Sequence, residues 1–209
     1  MDDSSEDGGG EFLKSFVSLD GAVRLVELDR NYGQSTALYA GLQTARGEIL
    51  VTLDADLQNP PEEIPRLVSF LEDCDLVAGI REPRRDSWFR KFRSRIVNRT
   101  RQKILGDTIE DMGCTLQVFR KEVLEGVYPF KGLHRFFPAI VEVSGFRVKQ
   151  IAVSHSPRRR GRSKYPLYRQ WLSPLWDLWG VHWLLKRKIK FDVKEDEPSK
   201  EKRAVLNKK

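Results

Sequence analysis

The stretch from Asn31 to Val68, NYGQSTALYAGLQTARGEILVTLDADLQNPPEEIPRLV, holds a turn, a helix, a strand, a doubly acidic loop and a second helix start. After the turn Asn31-Tyr32-Gly33, the segment Ser35 to Ala45 places Ala37, Leu38, Gly41, Leu42 and Ala45 on one helical face. Arg46 and Gly47 supply a cationic last turn and a stop. Ile49 to Leu53 is short, apolar and branched, as a buried strand requires. Asn59-Pro60-Pro61-Glu62-Glu63 offers an N-cap, early prolines and first-turn acids to a helix carrying Leu67, Val68 and Leu71. Working outward, Ala22 to Leu28 predicts a strand before the turn, and Leu76-Val77-Ala78-Gly79 another beyond the second helix. Strands alternating with helices at this spacing predict an α/β fold with a mostly parallel sheet, whose ligands gather at the carboxyl ends of the strands. Chemistry is therefore sought in the loops after Leu28, Leu53 and Gly79.

The chain has 209 residues with 40% hydrophobic content, enough for one α/β domain and a small appendage. Thirty-seven Lys and Arg against 30 Asp and Glu give a net charge of +7, which favours anionic partners: nucleic acid, phosphorylated substrates or an acidic membrane face. Cys74 and Cys114 lie far apart with no metal-type spacing and read as buried thiols in a reducing compartment. The first ten residues are acidic and Gly-rich, unlike a signal peptide, and no run of about 18 apolar residues could span a bilayer. The expectation is a protein that is soluble or lies on a membrane surface.

Asp54 and Asp56 stand one residue apart just beyond an apolar strand. Hard carboxylate oxygens so placed can share Mg²⁺ or Mn²⁺ with diphosphate oxygens, and the cation then neutralises a leaving nucleotide diphosphate. A solvated acidic turn would look the same in isolation. In GIREPRR, Arg81, Arg84 and Arg85 follow the next strand, where cations could grip a phosphate; a solvated basic loop fits Arg84 and Arg85 equally well. Arg158, Arg159, Arg160, Arg162 and Lys164 form a dense cationic loop around Gly161, with Ser163 and Tyr165 at its end. By itself it fits phosphate or nucleic acid. Four of the five tryptophans, Trp171, Trp176, Trp179 and Trp183, fall within WLSPLWDLWGVHWLLKRKIK (Trp171 to Lys190), ahead of Lys186, Arg187 and Lys188. That pattern suits a helix in an anionic interface, and also one packed on the domain or at a dimer contact.

The run from Asn31 to Val68 resembles the nucleotide-sugar half of a family-2 glycosyltransferase of GT-A fold, in the branch of dolichol-phosphate mannose synthase and bacterial polyprenyl-phosphate sugar transferases. The resemblance continues through GIREPRRDSWFRKFRSRIVNR (Gly79 to Arg99), DMGCTLQVFRKEVL (Asp111 to Leu124), GLHRFFPAI (Gly132 to Ile140) and HSPRRRGRSKYPLYR (His155 to Arg169). Motifs in this order are far more specific than Asp-x-Asp alone. Asp2-Asp3-Ser4-Ser5-Glu6-Asp7-Gly8 is similar to the family's turn V-D-D-x-S-x-D-G, which closes an early strand. The resemblance thus implies a GT-A domain over residues 1–168 without its first strand and helix; the residue pattern adds an amphipathic Trp-rich helix over 169–190, and composition a charged tail over 191–209 that reads as disordered.

It further implies an inverting transfer of a sugar from a nucleotide-diphosphate sugar to a polyprenyl phosphate, with Mg²⁺ or Mn²⁺ as cofactor. Asp3 would contact the nucleoside; Asp54, Asp56 and Gln58 would hold metal and diphosphate, with Asp56 and Asp111 as the catalytic acids. A lipid phosphate, whose second pKa is about 6 by analogy with phosphoresidues, is already largely ionised near neutral pH. Asp111 would then orient rather than deprotonate. Arg81, Arg84, His134, Arg135, Arg158, Arg162, Ser163 and Lys164 would meet the acceptor phosphate, although a lone histidine such as His134 is more often structural. The resemblance implies a cytoplasmic protein in peripheral contact with an anionic membrane face, open to homo-oligomer formation and with no nucleic-acid partner. The competing expectation is an inactive, truncated remnant that binds phosphate or nucleic acid through its basic surface.

Overall fold

The computed structural model describes residues 1–81, 88–156 and 169–187. Arg84, Arg85 and the basic loop holding Arg158, Arg159, Arg160, Arg162, Ser163 and Lys164 lie outside them, as does the tail 191–209. In chain order the elements are α1 (Gly9–Leu19), α2 (Gln34–Thr44), β1 (Ile49–Thr52), α3 (Ile64–Ser69), β2 (Leu76–Arg81), α4 (Trp88–Leu105), β3 (Gln117–Arg120), α5 (Leu133–Val143), β4 (Val148–Val153) and α6 (Arg169–Lys186). Short 3₁₀ turns flank α3 and follow β3.

The strands form one sheet in the order β1-β3-β2-β4. Because side chains alternate across a strand, the sheet buries two different faces. Leu76, Ala78 and Phe119 face a core built with Leu42 of α2, Leu105 of α4, Phe137 and Ile140 of α5, and Leu178 and Val181 of α6. The rings of Phe119 and Phe137 meet at 5.0 Å. Their neighbours Val77 and Val118 turn the other way, onto Leu67, Leu71, Cys74, Cys114, Leu116 and Val153. Both cysteines are buried and free, as their isolation in the sequence suggests. Arg101 and Asp107, both buried, pair at 2.9 Å where α4 hands over to the loop before β3.

The sheet is mixed rather than mostly parallel. β2 and β4 pair in parallel, but β3 runs antiparallel to both β1 and β2, with Leu50 opposite Phe119 and Leu76 opposite the same Phe119. β3 lies between the two strands that the sequence suggests are neighbours, so their common direction is kept without direct pairing. Ala22 to Leu28 does not form the predicted strand. It makes one parallel bridge, in which the Asp2 N–H donates to the Val26 carbonyl at 2.9 Å and the Leu28 N–H to the Asp2 carbonyl at 2.9 Å. Among the described residues Asp2 alone bridges to it, and one bridge makes no ladder. Asn59 does not cap the helix after it: its side chain reaches Thr115 Oγ1 at 3.4 Å and His155 Nδ1 at 3.3 Å. The helix starts behind Pro60 with no side-chain cap and runs as 3₁₀, α and 3₁₀ turns.

Candidate active site

Asp54 and Asp56 stand immediately past the carboxyl end of β1, on a loop that turns through Leu57 at φ 59. A leucine in that left-handed region costs roughly 1–2 kcal/mol, because its Cβ crowds the following carbonyl. The turn is held by Asp56, whose Oδ1 accepts the Gln58 N–H at 3.1 Å. The Gln58 amide donates to the Ser156 carbonyl at 3.3 Å, and the Ser156 N–H returns to the Gln58 carbonyl at 2.8 Å. The loop is therefore tied to the residues just beyond β4 and keeps its two carboxylates on the sheet's carboxyl rim.

Beside it opens a cavity of about 530 Å³ walled by α2, β1 and the start of α5. Its polar lining is Gln34, Thr52, Asp54, Thr115, Gln117 and His134. Gln34 Nε2 lies 3.4 Å from Asp54 Oδ1. α2 begins behind Gly33, whose φ of 93 is one a glycine adopts freely. The turn before it is organised by Asp3, whose carboxylate accepts the Tyr32 N–H at 2.8 Å and the Gly33 N–H at 2.7 Å. Asp3 thus shapes the loop that presents Gln34 and Ser35.

At the end of β2, Asp111 takes four hydrogen bonds: from the Arg81 N–H at 3.1 Å, Nε at 2.8 Å and Nη2 at 2.6 Å, and from the Gly113 N–H at 3.0 Å. Burial alone would raise its pKa, but the Arg81 hydrogen bonds and charge, with the Gly113 N–H, outweigh it and hold the carboxyl below its ordinary range. A carboxylate so held is a weak base. His134 sits in the first turn of α5, behind Gly132 at φ 109. Burial, with the charge of Arg135 adding to it, pushes its imidazole down to about 4. Arg135 itself reaches Asp177 of α6 at 3.5 Å.

Of the residues singled out in the sequence, Asp54 and His134 share the cavity, Asp56 and Gln58 build its neighbouring loop, and Asp3 supports the wall opposite. Arg81 and Asp111 form a separate pair at the next strand end, and Arg135 is drawn to α6. Gln34, Ser35, Thr115 and Gln117 were not singled out. For Gln34 and Ser35 the signal was present, since a helix start directly after a strand-end turn faces the ligand side of such a sheet.

Among the described residues no cluster of three or more His, Cys, Asp or Glu could hold a metal by itself. The donor set does fit a divalent cation that is only partly held by protein: two hard carboxylates on one loop leave several positions for diphosphate oxygens and water, as Mg²⁺ and Mn²⁺ favour.

The fold is that of GT-A glycosyltransferases. The structure superposes on a mannosyltransferase from Pyrobaculum calidifontis solved with GDP-Man and Mn²⁺ (TM-score 0.58, 20% identity, covering 91% of this chain and 55% of that one). It likewise superposes on glucosyl-3-phosphoglycerate synthase from Mycobacterium tuberculosis solved with Mn²⁺, UDP-glucose and phosphoglyceric acid (TM-score 0.57, 18% identity, 94% and 71%). Residues 1–127 match the model of glycosyl transferase family 2, and the chain belongs to that family. Similar relatives are the undecaprenyl-phosphate 4-deoxy-4-formamido-L-arabinose transferases of Aeromonas hydrophila, 40% identical over 169 residues (80% of this chain, 52% of the relative), and of Pseudomonas paraeruginosa, 42% identical over 171 residues (81% and 50%). The chain spans about half the length of these curated relatives.

Proposed function

We propose that this chain carries the donor site of an inverting glycosyltransferase that moves a sugar from a nucleotide-diphosphate sugar to a polyprenyl phosphate. The observation that supports this most is the loop of Asp54, Asp56 and Gln58 on the sheet's carboxyl rim, opening onto the cavity beside Gln34. Asp54, Asp56 and Gln58 would hold Mg²⁺ or Mn²⁺, which when bound supplies positive charge against the departing diphosphate. Asp3 fixes the turn ahead of α2 and so the wall on which the donor rests. The acceptor phosphate is already anionic near neutral pH, so no strong base is called for. Asp111, held ionised by Arg81, serves to orient groups at the strand end. The rate enhancement then comes from positioning and charge neutralisation.

The acceptor is a lipid, and α6 suits a membrane surface. Trp176, Trp179 and Trp183 are 73%, 64% and 49% exposed, while Leu178 and Val181 between them are buried in the core. The Arg187 guanidinium stacks on the Trp183 ring at 4.9 Å. Among the described residues no helix is long and apolar enough to cross a membrane. We therefore read α6 as the peripheral contact, with its aromatic stripe at the headgroup level.

Calorimetry of UDP and GDP with Mg²⁺ or Mn²⁺ tests the donor site, on the wild type and on the Asp54→Ala/Asp56→Ala variant. Metal-dependent binding that the double variant loses supports the reading; a folded wild type that binds no nucleotide diphosphate with either metal refutes it. Co-sedimentation with anionic and zwitterionic vesicles tests the surface contact, and equal, negligible binding to both would refute it.

A further inference from the structure

One polar pair, of which His134 lines the cavity, has no part in the scheme above. Ser35 Oγ lies 2.7 Å from His134 Nδ1, joining the first turns of α2 and α5 across 99 positions of sequence. The same oxygen accepts the Gly132 N–H at 2.9 Å. These are the two hydrogen bonds of the Ser35 side chain among the described residues, so its own proton has one acceptor, His134 Nδ1. A ring that accepts at Nδ1 and is neutral carries its proton on Nε2. The ring makes no other hydrogen bond among the described residues, yet none of their buried side-chain nitrogen or oxygen atoms lacks a partner. Nε2 is therefore not sealed in the protein, and His134 is one of the residues that line the cavity with Gln34 and Asp54.

We propose that Ser35 is a positioning residue that fixes the proton of His134 on Nε2, from which it donates to a hydroxyl oxygen of the donor's sugar. This rests on the donor-site reading. The sugar, rather than the diphosphate, is the matching group for two reasons. The N–H is uncharged, since burial keeps the imidazole neutral above a pH of about 4. The remaining polar lining, apart from Asp54, is made of uncharged amides and hydroxyls from Gln34, Thr52, Thr115 and Gln117, which pair with neutral polyols. Positive charge for the diphosphate would come instead from a cation held at the Asp54 loop.

The test has a spectroscopic arm and a binding arm. Long-range ¹⁵N correlation spectra at pH 7 report which ring nitrogen carries the proton. The wild type should show His134 protonated at Nε2, Ser35→Ala should show a mixture of tautomers, and Ser35→Thr should restore the single form. A wild-type ring protonated at Nδ1 overturns the proposal, and this arm needs no ligand. Calorimetry then compares UDP-glucose with UDP and GDP-mannose with GDP, all with Mg²⁺. Loss of one hydrogen bond predicts that Ser35→Ala weakens the sugar nucleotide about three- to tenfold. The parent diphosphate should stay unchanged, and Ser35→Thr should recover the difference. An equal loss for diphosphate and sugar nucleotide, or no loss for either, overturns the proposal while leaving the donor site standing. Failure of the folded wild type to bind any diphosphate is a separate result, which brings down the donor-site reading itself.

Discussion

Replacing Asp111 with asparagine keeps the size of the side chain and removes its charge and one of its two acceptor oxygens. In the wild type Oδ2 serves the Arg81 N–H and Nε, and Oδ1 serves Arg81 Nη2 and the Gly113 N–H. Whichever way the amide is turned, its NH₂ faces two N–H donors, so two of the four hydrogen bonds are lost and two donors are left opposed. Each stranded donor costs about 1–3 kcal/mol when buried. Breaking one partner of a fully buried ion pair costs about 3–5 kcal/mol. The Arg81 and Asp111 side chains are 15% and 18% exposed, so water offsets part of this, and the expected loss is about 2–4 kcal/mol. Urea unfolding at pH 7 measures it. Arg81→Met should also destabilise, and the double variant should lose less than the sum by about 1–3 kcal/mol, because both changes remove one interaction. The sign with pH follows from the depressed carboxyl. The stabilisation is complete above the unfolded value of about 3.9 and disappears as pH falls through the lower folded value, so wild type and Asp111→Asn converge in acid. A loss under about 1 kcal/mol at pH 7, or strict additivity, would refute the assigned geometry.

His134 titrates near 4 in the folded chain and near 6.5 when unfolded, so unfolding takes up a proton between those values. Stability should therefore fall as pH drops from about 6.5 to about 4, and His134→Gln should flatten that slope in pH-dependent urea titrations. A Cβ on Gly79 would stand 2.8 Å from Cys114 Sγ, 2.9 Å from Val153 Cγ2 and 3.1 Å from the Leu116 carbonyl oxygen. Gly79→Ala should consequently lower stability by about 1–3 kcal/mol, and an unchanged thermal midpoint would show that the strands can separate. Leu57 is 73% exposed and left-handed, so Leu57→Asn gives up little burial and relieves strain. It should gain up to about 1 kcal/mol in urea unfolding; a loss would mean that the leucine itself is needed at the loop.

Local chemistry wrote much of the architecture into the chain. The helix after Gly33, the apolar runs at Ile49 and Leu76, and the two acids just past a strand each follow from spacing over a few residues, and all stand within a residue or two of their expected places. The sequence pattern leaves α1, α4, β3 and β4 unannounced, and for β3 and α1 the physical reason is plain. β3 is only four residues long and has no period of its own, because its character comes from lying between two other strands. α1 grows out of a glycine-rich start that reads as a turn, and its Phe12, Phe16 and Leu19 remain exposed, so no buried face marks it.

The sequence by itself determined the alternating α/β plan, the acidic loop at a strand end and the tryptophan stripe of α6, since each depends on neighbours within a turn or two of backbone. Only the tertiary structure decided which way the sheet is paired, that Asp111 is held by an arginine 30 residues away, and that Ser35 and His134 meet across 99. Such pairs are chosen by which strand ends and helix starts the packed core brings to the same rim, and no local preference of either residue encodes its partner.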